Sequence, residues 1–138
     1  MWWTYAILSA LFASLTAIFA KLGTANINSN LATAIRTVIV LLMIGSIVLV
    51  RGEAKGLATV SKQNLVFLVI SGMATGLSWL FYFKALQAGN VSQVAAIDKL
   101  SVALTIILAV VFLGETLSLK TAIGAGLIIT GTVVMIVK

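Results

Sequence analysis

The chain is written in long apolar runs cut by short polar breaks, and its hydrophobic residues are not gathered into stripes along otherwise polar segments. Five runs can be counted. They extend from about Trp2 to Ala20, closed by Lys21; about Leu31 to Val50, closed by Arg51; about Asn64 to Phe83, closed by Lys84; about Val91 to Leu113, before Gly114-Glu115; and about Thr121 to Val137. Runs of this length cross a ~30 Å hydrocarbon core as helices. The expected fold is an all-α integral membrane protein, a bundle of five transmembrane helices forming one domain over residues 1–138.

Composition strengthens this reading. Of the 138 residues 62% are hydrophobic and 9% charged, where soluble domains carry roughly a quarter charged. The connections, roughly seven to thirteen residues, leave no room for an extramembrane domain. MWWTY lacks the positive start of a signal peptide and no A-x-A site follows, so Trp2, Trp3 and Tyr5 are expected to anchor the chain at the interface. With no Cys and no His, disulfides, the usual zinc sites and proton-shuttling imidazoles are excluded. No enzyme, cofactor or metal centre is expected. The net charge of +6 suits interfacial anchors and anionic headgroups rather than a nucleic-acid partner.

An odd number of spans puts the termini on opposite faces, so a second copy fused behind the first would insert upside down. Many transporters are built from such inverted repeats. The orientation signal is close to balanced. Arg51, Lys55, Lys62 and Lys120 fall on the side of the N-terminus; Lys21, Lys84 and Lys138 fall on the other, with Arg36 and Lys99 slightly inside helices two and four. A rule that reads Lys and Arg near span ends does not choose firmly from such a tally.

In order along the chain, WTYAILSALFASLTAIFAKLG, NLATAIRTVIVL, SGMATGLSWLFYFKALQAG, VAAIDKLSVALTIILAVVFLGE and AIGAGLIITGTVVM resemble the five helices of an EamA-type domain of the drug/metabolite transporter superfamily. The more specific elements are the FLGE ending of helix four, Phe112 to Glu115, and the G-x-x-x-x-x-x-G of helix five, Gly124 and Gly131. The resemblance covers nearly the whole chain. Most members carry two such domains in ten helices, so it implies that this chain is one half of a ten-helix inverted-repeat transporter and needs a partner, most simply a second copy of itself. It also implies a proton as coupling ion and, as the family's usual arrangement, the N-terminus inside. Relatives in the small multidrug resistance family carry an essential membrane Glu in their first helix. Here that helix offers only Ser9, Ser14 and Thr16, and the mechanism does not carry over.

Several polar residues are candidates for a translocation pathway. Ser71, Thr75, Ser78 and Tyr82 are spaced four, three and four apart, which sets them on one face of helix three. They either line a cavity or return their hydroxyls to their own helix's carbonyls. Trp79, one position from the stripe, could offer with Tyr82 a π face to a cationic or aromatic solute, or simply pack. Gly72 with Gly76, and Ala6, Ala10 and Ser14, repeat small residues at four-residue spacing, as expected where helix backbones approach closely. Gly124, Gly126 and Gly131 make a comparable face in helix five, for dimerisation or flexibility.

The pair Asp98-Lys99 is the odd feature of helix four. Asp98 lies about eight residues past the Gly89-Asn90 turn and Arg36 about six past Asn30, so at ~1.5 Å per residue both sit roughly 10 Å along their helices. An unpaired charge there costs about 3 kcal/mol or more. The economical arrangement pairs Asp98 with Arg36 or Lys84, while Lys99 points about 100° away and snorkels to the headgroups. Ser101 and Thr105 continue a polar stripe from Asp98. An ion pair that opens would be a gate, one that never opens a clamp. Glu115 at the far end of the helix is expected to answer Lys120. The expected function is a secondary transporter of the cell membrane, exporting a small metabolite or drug-like solute by alternating access as a homodimer, with antiparallel protomers if two chains reproduce the inverted arrangement. The competing reading is a non-transporting membrane subunit or scaffold packed against another membrane protein.

Overall fold

The computed structural model describes residues 1–137 and is entirely helical: α1 (Trp2–Gly23), α2 (Ser29–Val50), a 3-10 helix (Glu53–Thr59), α3 (Lys62–Ala88), α4 (Val91–Asp98), α5 (Leu100–Leu113) and α6 (Leu119–Ile136). Lys138, counted above among the charges, lies outside the described residues. Five spans are long and apolar enough to cross a membrane, with α4 and α5 together forming the fourth, Val91–Leu113. The protein is accordingly a multi-pass protein of the cell membrane. Two of the expected boundaries move. α1 runs on past Lys21, and α3 runs past Lys84 to Ala88, because a lysine does not end a helix and Ala-Leu-Gln-Ala favours one. The stop comes at Gly89-Asn90.

Side chains close the helix ends. The carboxamide oxygen of Asn28 accepts from the amide of Asn30 at the start of α2 (2.8 Å). Ser61 accepts from the Asn64 amide (3.1 Å) before α3, and Ser118 from the Thr121 amide (3.1 Å) before α6. These caps take up orphan donors that water cannot serve inside a bilayer. Gly114 ends α5 in the left-handed region, φ 67°, where a residue with a Cβ is strained. Its amide and that of Glu115 (3.3 Å) both return to the carbonyl of Ala109.

The chain divides into two compact units, one from Phe19 to Gln87 and the other from Met1–Ile18 with the chain from Ala88 onward. In the 19–87 unit the buried residues are Thr24, Ser29, Ala32, Thr33, Phe83 and Leu86. The carboxamide of Gln87 donates to the carbonyls of Thr24 (2.8 Å) and Ile27 (2.6 Å), pinning the turn between α1 and α2. The Lys21 ammonium donates to the carbonyl of Leu86, in the last turn of α3, where a cation suits both the unpaired carbonyl and the helix dipole.

In the other unit α6 packs against both α4 and α5. The fourth span is interrupted at Lys99, with no proline or glycine to cause it. The Lys99 amide donates to Ala96 (3.1 Å) and the Val102 amide to Lys99 (3.0 Å), three-residue bonds that tighten one turn into 3-10 geometry. Buried Thr132 of α6 donates its hydroxyl to the same Ala96 carbonyl (3.1 Å). A foreign donor entering the backbone ladder is one of the few recognised causes of a helix kink. Gln93 adds a long bond to the carbonyl of Met135 (3.4 Å).

Among the described residues close backbone approach at the glycines is not found: a Cβ built on Gly72, Gly76, Gly124, Gly126 or Gly131 would meet nothing within 4 Å.

Two outcomes follow from this architecture. Thr4→Cys and Lys138→Cys, introduced singly into a chain that has no native cysteine, should label from opposite faces of the membrane; labelling of both from the same face of a uniformly oriented preparation removes a span. Thr132→Val keeps the shape and deletes the hydroxyl, and should lower stability in detergent by about 0.5–1.5 kcal/mol. Thr132→Ser should restore it, and equal losses for Val and Ser would deny the bond to Ala96 a role.

Candidate functional site

The chemically distinctive cluster of the 19–87 unit is built on α2 and α3. Arg36 is the eighth residue of α2 and lies about 10 Å along it. Trp79 and Phe83 are one turn apart on α3 and so share a face. The Arg36 guanidinium carbon sits over the Trp79 ring, 4.2 Å from its centroid, and 5.5 Å from that of Phe83. Phe83 is buried, while Arg36, Trp79 and Tyr82 are of intermediate exposure. Cation–π contacts of this kind are worth about 0.5–2 kcal/mol, more as water is removed. They offset part of the cost of a charge at this depth.

One face of the Trp79 ring is thus covered by a cation of the chain itself. Trp79 and Phe83 repeat at four residues, which was legible, but nothing in the sequence aimed α2 at that face.

The stripe on α3 is mixed. The Thr75 hydroxyl donates to the Ser71 carbonyl (2.9 Å), the self-satisfied alternative. The hydroxyls of Ser71 and Ser78 make no hydrogen bond among the described residues, and both residues are exposed. Lys84 is exposed on the same helix.

In the other unit Asp98 is the last residue of α4, immediately before the interruption. Its Oδ2 lies 3.7 Å from Nζ of Lys99, with the two side chains 42% and 59% exposed. Lys99 therefore does not point away from its neighbour as expected. The helix departs from α geometry there, and a four-carbon stem is long enough to return. The partners expected for Asp98, Arg36 and Lys84, belong to the 19–87 unit. Ser101 and Thr105 are exposed along α5. The 3-10 turn and the Thr132 bond to Ala96 were missed altogether; an isolated threonine in an apolar helix carries no sign of whose carbonyl it will serve.

Comparison with known proteins agrees with the helical plan. The family model of the EamA-like transporter family matches residues 1–137. An uncharacterized transporter from the cobO 3′ region of a Sinorhizobium species is 46% identical over 136 residues, covering 99% of this chain and 96% of that protein. An uncharacterized protein of Methanocaldococcus jannaschii is 31% identical over 81 residues, 59% of each chain. No solved structure matches. A family match over almost every described residue, together with a relative of nearly the same length, leaves one conclusion: this chain belongs to the EamA-like transporter family, a family of membrane transporters and not of enzymes.

Proposed function

We propose that the protein is a secondary transporter that exports a small metabolite or drug-like solute by alternating access, as a homodimer. The observation that carries the mechanism is the interruption of the fourth span at Asp98-Lys99. Many transporters form their sites at discontinuous spanning helices, where backbone groups freed from the ladder can meet a solute or an ion. A break held by side-chain bonds, with no proline to fix it, can also bend. On this reading Asp98 is a gate or coupling group, and Ser101 and Thr105 continue its path along α5. Arg36, Trp79, Tyr82, Ser71, Thr75, Ser78 and Lys84 serve the pathway from the 19–87 unit.

The homodimer is supported by length and by parity. The Sinorhizobium transporter is covered over 96% of its length by one five-helix copy, so a single copy recurs in a relative. Two copies of an odd-span unit make the inverted ten-helix arrangement only when antiparallel, which fits the near-balanced Lys and Arg.

The test is transport by vesicles containing only this protein, screened with candidate solutes with and without a pH gradient. Movement of none of them, against a working control transporter, would favour the subunit reading. Asp98→Asn keeps size and removes the charge. It should abolish uphill transport while the protein still folds and inserts. Wild-type transport by this variant would take Asp98 out of the mechanism, and a loss of about 3–5 kcal/mol would make it a buried clamp. Reporters fused after Lys138 should appear on both faces in comparable amounts. A single clean orientation defeats the antiparallel dimer.

A further inference from the structure

The Arg36 cluster carries an inference about substrate chemistry. A guanidinium has five N–H donors in its plane and none on its faces. Stacking over Trp79 and beside Phe83 occupies a face. It leaves the in-plane fork to be satisfied by something else, and among the described residues Arg36 makes no hydrogen bond or ion pair. The charge of the unit narrows what that something is. Of its six Lys and Arg, Arg51, Lys55 and Lys62 lie with its single acid, Glu53, beyond the far end of α2, which leaves Lys21 and Lys84 as the charged residues of the unit at the Arg36 end of the spans. Glu53 is engaged by Arg51 (3.3 Å), at the other end of α2 from Arg36. Fifteen residues of helix separate Arg36 from Arg51, about 22 Å.

We propose that Arg36, held over Trp79, is an oxyanion receptor: its fork takes a carboxylate or phosphate oxygen pair of a bound solute, while the rings fix the plane in which that pair must approach. Planar two-point recognition is what arginine offers over lysine. The inference rests on the transport reading for its consequence, namely that the exported solute carries an acidic group. The same chemistry is presented by a lipid phosphate, and the two sources part in the experiment.

Trp79 is the built-in probe. With Trp2→Phe and Trp3→Phe, it is the remaining tryptophan, and its fluorescence reports on the stacked cation. In a neutral detergent the protein is titrated with benzoate, with inorganic phosphate and with phosphatidylglycerol, and with benzamide and benzylammonium as controls of similar shape. The expected result is a saturable change with at least one of the anions and none with the two controls. Arg36→Gln should abolish it, and Arg36→Lys, which keeps the charge and loses the fork, should weaken it at least about tenfold. Saturation by benzoate or phosphate identifies a solute site; saturation by phosphatidylglycerol alone identifies a headgroup site. No saturable change with any anion, an equal response from benzylammonium, or an unchanged midpoint in Arg36→Lys overturns the receptor. Binding is measured at equilibrium, so its absence in a protein that still transports sinks only this inference, and its presence in a protein that moves nothing sinks only the transport reading.

Discussion

Inside a bilayer no water completes the hydrogen bonding of a peptide group, and each one left open costs several kcal/mol. That constraint governs this chain from end to end. It makes the apolar runs helices, and it makes helix ends places where side chains or returning backbone amides must complete the hydrogen bonding. Asn28, Ser61 and Ser118 do so at helix starts. Lys21 and Gln87 serve carbonyls at the far end of α3 and in the turn between α1 and α2. Thr132 does the same at the break in the fourth span.

How much of this was legible follows from the same constraint. Span number and approximate position are written in run length, because the hydrocarbon thickness demands it. The lysines that close the apolar runs, Lys21 and Lys84, do not end their helices: α1 continues to Gly23 and α3 to Ala88, since a lysine can reach from a helix flank to the edge of the hydrocarbon without breaking the helix. The interruption at Lys99 had no sequence mark, and the Thr132 hydroxyl that bonds the Ala96 carbonyl beside it arrives from a residue more than thirty positions away. The candidate site was legible in kind and not in pairing. Arg36, Trp79 and Asp98 each stood out, but rotation of a helix about its axis decides what each one faces, and a uniformly apolar helix carries almost no signal for rotation.

The two charged features differ in how they are tolerated. Asp98 and Lys99 form a neutral neighbour pair, 3.7 Å apart, at the interruption of the fourth span. Arg36 is stacked on rings, which screen a face of the cation without neutralising it. The first arrangement suits a group that must change partners during a cycle. The second keeps its full charge in a fixed place, in a unit with a large excess of bases.

That difference bears on direction of force in a transport cycle. A stacked guanidinium is held by contacts that do not depend on what fills its donors, so it stays in position whether or not an anion is present. A pair at a 3-10 turn has no such independence, because the turn, the Ala96 carbonyl and the Thr132 hydroxyl share their hydrogen bonds, and altering one redistributes the others. In the proposed cycle, recognition therefore belongs to the α2 and α3 rings and movement to the α4 and α5 break. A ligand shifts a conformational equilibrium only through a difference in affinity between states. An anion that binds Arg36 equally well in every state would be held and never carried, so in the proposed cycle the affinity of the Arg36 fork must differ between states.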